Sequence, residues 1–360
     1  MSSRIRALDA VRGAALMGIA FGNVMWFSGA AVTGPQTELD AAVVFGLHVL
    51  VDGKFYGLFS LLFGIGFALL VRSAEKRASA VVRTRLIRLG AIGGLHASLL
   101  WFGDIVSLYA VAAIPLWFVQ RLPTPRLLRL AFGCLHAPVV ITALRVIVGS
   151  EGADPGHGPA VLLPAFADGS VVDVVHANAA FLAERWIRAL ASSRLIRIFG
   201  LFTLGLVAAR TVLHREHPTP VPRPPAWLFA VALTSNVLLA TMADVPLRPP
   251  TIAGVLRDAV YAVAIPSGSL LYAMLLWRWA KRGGGVVRAL AAAGRLSLTH
   301  YITQSVVFAV LFYGYGLGLW GELGAASAML VAAALVTTQV LASRIAGNHR
   351  GPLERLLRGG

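Results

Sequence analysis

The chain of 360 residues has one cysteine, Cys134, so no intrachain disulfide can brace it; Cys134 lies in an apolar run and reads as packing. Charge is scarce as well. Only 13% of residues are charged, about half the share usual in a soluble domain. Acidic residues number 16 against 32 basic ones, and lysine is nearly absent, three against 29 arginines, which points to a GC-rich genome. The +16 excess would direct a soluble chain toward nucleic acid, but the bases sit between apolar runs and no nucleic-acid module accompanies them, so no nucleic-acid partner is expected. Internal repeats, long linkers and metal-ligand spacings are missing too, so residues 1–360 are expected to form one transmembrane domain without a predicted metal.

What fills the chain instead is apolar sequence: 57% of residues are hydrophobic, and the mean hydropathy is +0.75. A hydrocarbon core about 30 Å thick takes roughly 20 helical residues to cross. The expected fold is all-α and polytopic, with about ten transmembrane helices near 10–32, 55–71, 87–103, 105–120, 128–148, 194–212, 226–243, 255–277, 295–315 and 323–346. With both termini inside, 24 of the 32 basic residues collect on the inner side. The outer side keeps Lys54, Arg145, Arg185, Arg188, Arg194, Arg197, Arg248 and Arg257. The first run is read as a span and not a cleaved signal peptide, because Asp9, Arg12 and Asn23 interrupt it and many further spans follow. An outer re-entrant or interfacial segment is expected near 41–53, and an outer cap near 149–193, whose stretch Val171–Leu190 carries Glu184, Arg185 and Arg188 on a polar side.

Polar side chains inside such a protein are costly unless they are paired or face a wet cavity, so they mark candidate sites. Asp9 and Arg12 share a helix face and read as an anchor at the inner end of the first span. Asn23 lies past the midplane of that span and is a candidate cavity-lining group. His48 and Asp52 stand four apart, so one helical turn lets the carboxylate fix the imidazole tautomer and raise its basicity, as a general base requires. His96 is central in the third predicted span; Asp104, eight residues on, is too far along a continuous helix to reach it, so its partner is expected on another element, with Lys54 one option. Tyr109 opens the next run, and with Lys54 and Asp104 it joins the expected polar lining. In the ninth span, His300 and Gln304 share a face and complete that lining. His136 reads as packing.

These segments carry a family resemblance. The matching pieces are Arg4–Gly13 running on to Asn23, Asp52–Gly64, Gly94-Leu95-His96 with Trp101–Ile105 and Tyr109, Gly294–Gln304, and the tail Gly351–Arg358. Together they resemble the YeiB-like family, the domain of unknown function 418, and through it the wider transmembrane acyltransferase group that includes heparan-alpha-glucosaminide N-acetyltransferase. The resemblance implies a cytoplasmic acyl-CoA or acetyl-CoA donor, an acceptor at the outer side, and a site within the bundle. It aligns Asn23 with a polar first-span position and Asp52 with the acidic residue that opens the second span. His300 stands where the YeiB-like pattern has asparagine.

On this reading Arg83, Arg85 and Arg88, at the inner mouth of the His96 span, would attract the donor's phosphates. An imidazole at His48 or His96 would activate the acceptor, and Asn23 would donate to the developing oxyanion. The expected function is therefore acyl transfer to a small-molecule or lipid-linked hydroxyl or amine in a bacterial cytoplasmic membrane, among membrane lipids and with a homodimer as one assembly. Two other classes fit the same residues. A transporter or export accessory would use the midplane polar groups as a binding site, and a metal-dependent enzyme would assemble His48, Asp52, His96 and Asp104 from separate helices.

Overall fold

A computed structural model describes residues 3–149, 162–191, 194–210, 222–245, 251–346 and 351–358. Among them there is no strand. The helices are α1 (Ser3–Phe27), α2 (Ala30–Thr33), α3 (Glu38–Leu50), α4 (Lys54–Ala74), α5 (Ala78–Leu99), α6 (Val106–Ala112), α7 (Ile114–Val119), α8 (Thr124–Ile147), α9 (Pro164–Asp168), α10 (Val171–Ala191), α11 (Arg194–Ala208), α12 (Ala226–Thr241), α13 (Ile252–Arg282), α14 (Gly285–Arg295), α15 (Ser297–Phe312), α16 (Ala325–Ala346) and α17 (Pro352–Arg358).

Five helical stretches are long and apolar enough to cross a membrane: Arg6–Phe27, Glu38–Leu99, Thr124–Ile147, Ile252–Arg282 and Ala325–Ile345. The second holds three helices, since a turn at 51–53 and a 3-10 turn at 75–77 divide its 62 residues. Among the described residues each of the ten apolar runs lies on a helix or helix pair, with 211–212 of the sixth run outside them, but the boundaries differ. The first ends at Phe27, where Gly29 adopts a φ of 79°, and the run 105–120 is split between α6 and α7. Only 17% of the 18-residue apolar stretch within Thr124–Ile147 is buried, and Phe118, Ile147, Trp227 and Leu330 stand exposed, so the bundle turns apolar side chains outward as well as inward. Such a surface suits a lipid solvent.

Local chemistry sets the helix ends near the site. Thr37 and Asp40 form a reciprocal capping box at the start of α3, and Asp40 also accepts the Ala326 backbone N–H at 2.8 Å, which pins α3 to the start of α16. The segment expected to be re-entrant or interfacial is thus mostly this helix. Gly53 begins α4 with a φ of 79°, and a Cβ there would lie 2.3 Å from Ile265. Of the predicted cap, residues 150–161 and 192–193 lie outside the described residues; α9 and α10 form the rest, with α10 packed along α5.

α1 is the hub, packed against α4, α13, α14, α15 and α16. Two crossings are closed by paired glycines. A Cβ on Gly13 would lie 2.1 Å from the Leu290 carbonyl oxygen, and one on Gly294 would lie 1.9 Å from that of Asp9, so α1 and α14 touch backbone to backbone. Gly64 and Gly205 meet the backbone of Phe202 and Leu61 at 2.0 and 2.1 Å in the same way, joining α4 to α11. Gly294→Val is therefore expected to destabilise the bundle by about 1–3 kcal/mol or more through overpacking. Gly94→Ala, where an added Cβ would meet nothing within 4 Å beyond its own helix backbone, is expected to be neutral or stabilising by up to about 1 kcal/mol. Thermal unfolding of the detergent-solubilised variants checks both, and equal midpoints would refute the close crossing.

Candidate functional site

A cavity of about 790 Å³ opens among α1, α4, α10, α11, α13, α15 and the connection after α5. α1 contributes Gly18, Gly22, Asn23 and Trp26, one face at helical spacing. Asp52 and Gly53 come from the turn before α4, Phe55 and Tyr56 from its first turn, Trp101–Gly103 and Ile105 from the connection, Phe181 and Glu184 from α10, and Arg194, Tyr261 and Tyr301 from α11, α13 and α15. Glycine makes room on the α1 side: a Cβ on Gly18 would sit 2.2 Å from the Phe55 ring, and one on Gly22 would sit 3.6 Å from an Asp52 carboxylate oxygen.

His48 and Asp52 pair as their spacing requires, with Nδ1 2.7 Å from Oδ2. Both stay partly accessible, with side-chain exposures of 35% and 46%. The Asp52 amide also bonds the Leu47 carbonyl at 2.9 Å, so the α3 trajectory carries on far enough to bring the carboxylate under the imidazole. Lys54 is buried and donates its ammonium to the His48 carbonyl, near the C-terminal end of α3, where a helix dipole favours a cation. It does not line the cavity. Asn23 does, and among the described residues its side-chain amide makes no hydrogen bond.

His96 and Asp104 correct the expectation drawn from helix length. The helix ends at Leu99, the chain reverses over 100–105, and Asp104 returns to place Oδ1 2.9 Å from His96 Nδ1. Lys54 has no part in this pair. Asp104 Oδ2 accepts the Ser107 N–H at 2.6 Å, and His96 Nε2 lies 2.8 Å from Ser305 Oγ. Both partners are essentially sealed, and the cavity begins on the far side of Tyr301, whose ring lies 4.9 Å from the imidazole. Tyr301 also accepts the Ile105 N–H at 3.3 Å and directs its hydroxyl to Asp104 at 3.5 Å. With Phe102 N–H bonded to Asn178 Oδ1 at 3.0 Å, the connection 101–105 becomes a pinned wall. Burial raises the Asp104 carboxyl, but the bonds from His96 and Ser107 outweigh it and hold the group below the ordinary carboxylate range.

The other predicted residues lie elsewhere. Tyr109 is core: its hydroxyl is 2.6 Å from Ser60 Oγ and donates to the Tyr56 carbonyl at 3.1 Å. His300 and Gln304 face α16, with His300 Nε2 2.6 Å from Ser343 Oγ and the Gln304 amide donating to Gln339 at 2.8 Å. Arg88 donates to the Leu356 carbonyl of α17 at 2.8 Å, Arg83 is exposed and Arg85 half-buried. The His48, Asp52, His96 and Asp104 side chains fall into two pairs, and among the described residues no group of three or more His, Cys, Asp or Glu comes together. Sequence reasoning passed over Tyr56, Glu184, Arg194 and Tyr261 as lining groups. Arg194 and Glu184 were visible as charges on the outer side, but nothing in their spacing linked them to Asn23.

Residues 207–360 match the family described as "Protein of unknown function (DUF418)". The chain is 25% identical to the "Uncharacterized protein YxaH" of Bacillus subtilis, over 96% of this chain and 90% of that protein. It is 33% identical to the "Uncharacterized protein YeiB" of Escherichia coli over 32% of this chain and 30% of that protein. A 39.9 kDa protein encoded in the amylase 3' region of Bacillus acidopullulyticus is 33% identical over 31% of this chain and 32% of its own length. No solved structure matches the chain.

Asp104→Asn is expected to cost roughly 3–5 kcal/mol, because one amide cannot accept from both His96 and Ser107 and the buried pair is broken. The carboxylate's contribution is complete above about pH 4 and is lost as the pH falls through the lower folded value. Unfolding curves taken from pH 7 down to pH 2 should therefore show the wild type losing its advantage over Asp104→Asn in the acid range. A constant gap would refute the assignment.

Proposed function

We propose that this chain, which belongs to the YeiB-like DUF418 family, is a multi-pass protein of a bacterial cytoplasmic membrane that transfers an acyl group to a hydroxyl or amine. The ten apolar runs, N-in and C-in, are the topology that best satisfies the distribution of arginines. One observation carries the chemical reading: a single cavity holds Asn23, whose amide has no hydrogen-bond partner among the described residues, and Asp52, which connects the cavity to His48, itself not a lining residue, through a 2.7 Å bond. A base and an oxyanion donor are the two groups that direct transfer from a thioester needs from the protein.

The steps follow from that arrangement. Asp52 accepts a hydrogen bond from the Nδ1–H of His48, which fixes that tautomer and leaves Nε2 as the basic nitrogen. Nε2 removes the acceptor's proton as its oxygen or nitrogen attacks the thioester carbonyl carbon. Asn23 donates to the oxygen that becomes negative, and Asp52 stabilises the imidazolium. As the C–S bond breaks, the imidazolium returns the proton to the departing thiolate, so acylated acceptor and free thiol leave with the base restored. His96 serves the wall, since Tyr301 separates it from the cavity. The cavity reaches Gly18, well inside the 25-residue α1, which gives an inner donor and an outer acceptor a common meeting level. Arg83, Arg85 and Arg88 are the cations proposed for the donor's phosphates, and Arg88 also donates to the Leu356 carbonyl of α17.

Reconstituted protein given acetyl-CoA and a panel of amine and hydroxyl acceptors is expected to release free thiol. His48→Ala should lower kcat/KM by about 10²–10⁴-fold. Asn23→Ala should lower kcat by about 10²–10³-fold with a smaller change in KM. Unchanged thiol release in both His48→Ala and Asp52→Asn would remove the proposed base.

A further inference from the structure

α4 leads from the cavity to a second concavity at its other end, about 30 Å away at 1.5 Å per residue over 21 residues. This pocket, of about 300 Å³, lies between the turn joining α4 to α5 and the end of α7. It is lined by Glu75, Lys76, Ser79, Trp117, Gln120 and Arg121, among others. Its size is that of a small ligand pocket.

Both charged turns are built with care. Glu75 is the one non-glycine residue with positive φ among those described, at 45°, a conformation that costs free energy unless the surroundings impose it. The facing turn is held from behind by Arg210, whose guanidinium donates to the Gln120 carbonyl and, at 2.6 Å, to that of Leu122. A second arginine is thus committed to shaping the loop that presents Arg121. Yet Glu75, Lys76 and Arg121 line one small pocket without an ion pair among them, and among the described residues neither cation has a hydrogen-bond partner. Opposite charges held apart in a common pocket suit a ligand that bridges them.

We propose that this pocket binds a phosphate ester bearing a second donor group, an amine or a hydroxyl. Lys76 and Arg121 take the phosphate, with Ser79 donating to it, and Glu75 accepts from the amine or hydroxyl. Trp117 supplies an apolar wall for whatever the phosphate is esterified to. Two sources share this chemistry: the headgroup of a membrane phospholipid and a soluble phosphorylated compound such as coenzyme A. The site is independent of the acyl-transfer reading, because it is tested by binding alone.

Full-length protein in nanodiscs of phosphatidylcholine with added phosphatidylethanolamine or phosphatidylglycerol is analysed by native mass spectrometry for retained lipid, and coenzyme A is titrated calorimetrically in parallel. The variants are Lys76→Gln with Arg121→Gln, their exchange Lys76→Arg with Arg121→Lys, and Arg126→Gln, an exposed arginine outside the pocket. Loss of about tenfold or more in retention of the added lipids in the glutamine pair alone, restored in the exchange, identifies a lipid headgroup. The same pattern confined to coenzyme A identifies the soluble source. A glutamine pair that behaves like Arg126→Gln in both arms overturns the proposal.

Discussion

A buried carboxylate must be paired, and the way Asp104 is paired organises one wall of the candidate site. Its two oxygens bind His96, at the end of α5, and the Ser107 amide, at the start of α6, and Tyr301 of α15 directs its hydroxyl to the same group. Three elements are thus tied at one point that water does not reach. The connection 101–105 has only the turn bond from the Asp104 N–H to the Trp101 carbonyl, at 3.2 Å, and the bond from the Trp101 N–H back to His96, at 3.0 Å, in its own backbone, and this knot adds to them. Because that connection is one wall of the cavity, the shape of the candidate site depends on a pair that never touches it.

The two His–Asp pairs illustrate how accessibility divides roles between chemically similar groups. His96 with Asp104 is sealed, fully satisfied and located behind an aromatic ring, which are properties of a fastening. His48 with Asp52 keeps part of both side chains open, and Asp52 forms cavity wall, which are properties the proposed base requires. Lys54 supports the second arrangement from below by holding the end of α3 through the His48 carbonyl. Its charge serves the backbone that carries the imidazole.

Packing around these groups relies on close backbone approach. In a lipid solvent apolar side chains gain little by leaving the solvent for a helix interface, so association rests on van der Waals contact and interhelical polar bonds. The glycine crossings of α1 with α14 and α4 with α11 supply the first. The seam of His300, Gln304, Gln339 and Ser343 between α15 and α16 supplies the second, which is why residues that looked like cavity lining lie instead between helices.

Much of the fold was legible in the order of residues. Apolar runs of helical length, arginines gathered between them and the four-residue step from His48 to Asp52 are local properties, and local backbone hydrogen bonding turns them into helices and a helix-spaced pair without help from distant sequence. Which polar groups share a cavity was not legible, because it depends on how helices cross and where the chain reverses. Asp104 shows this directly: along a straight helix it lies about 12 Å from His96, and only the turn at 100–105 brings it within 2.9 Å. Asn23 and Asp52 meet in one cavity with Glu184, Arg194 and Tyr301 because glycines let α1 approach its neighbours, a consequence of packing that spacing along one helix does not encode.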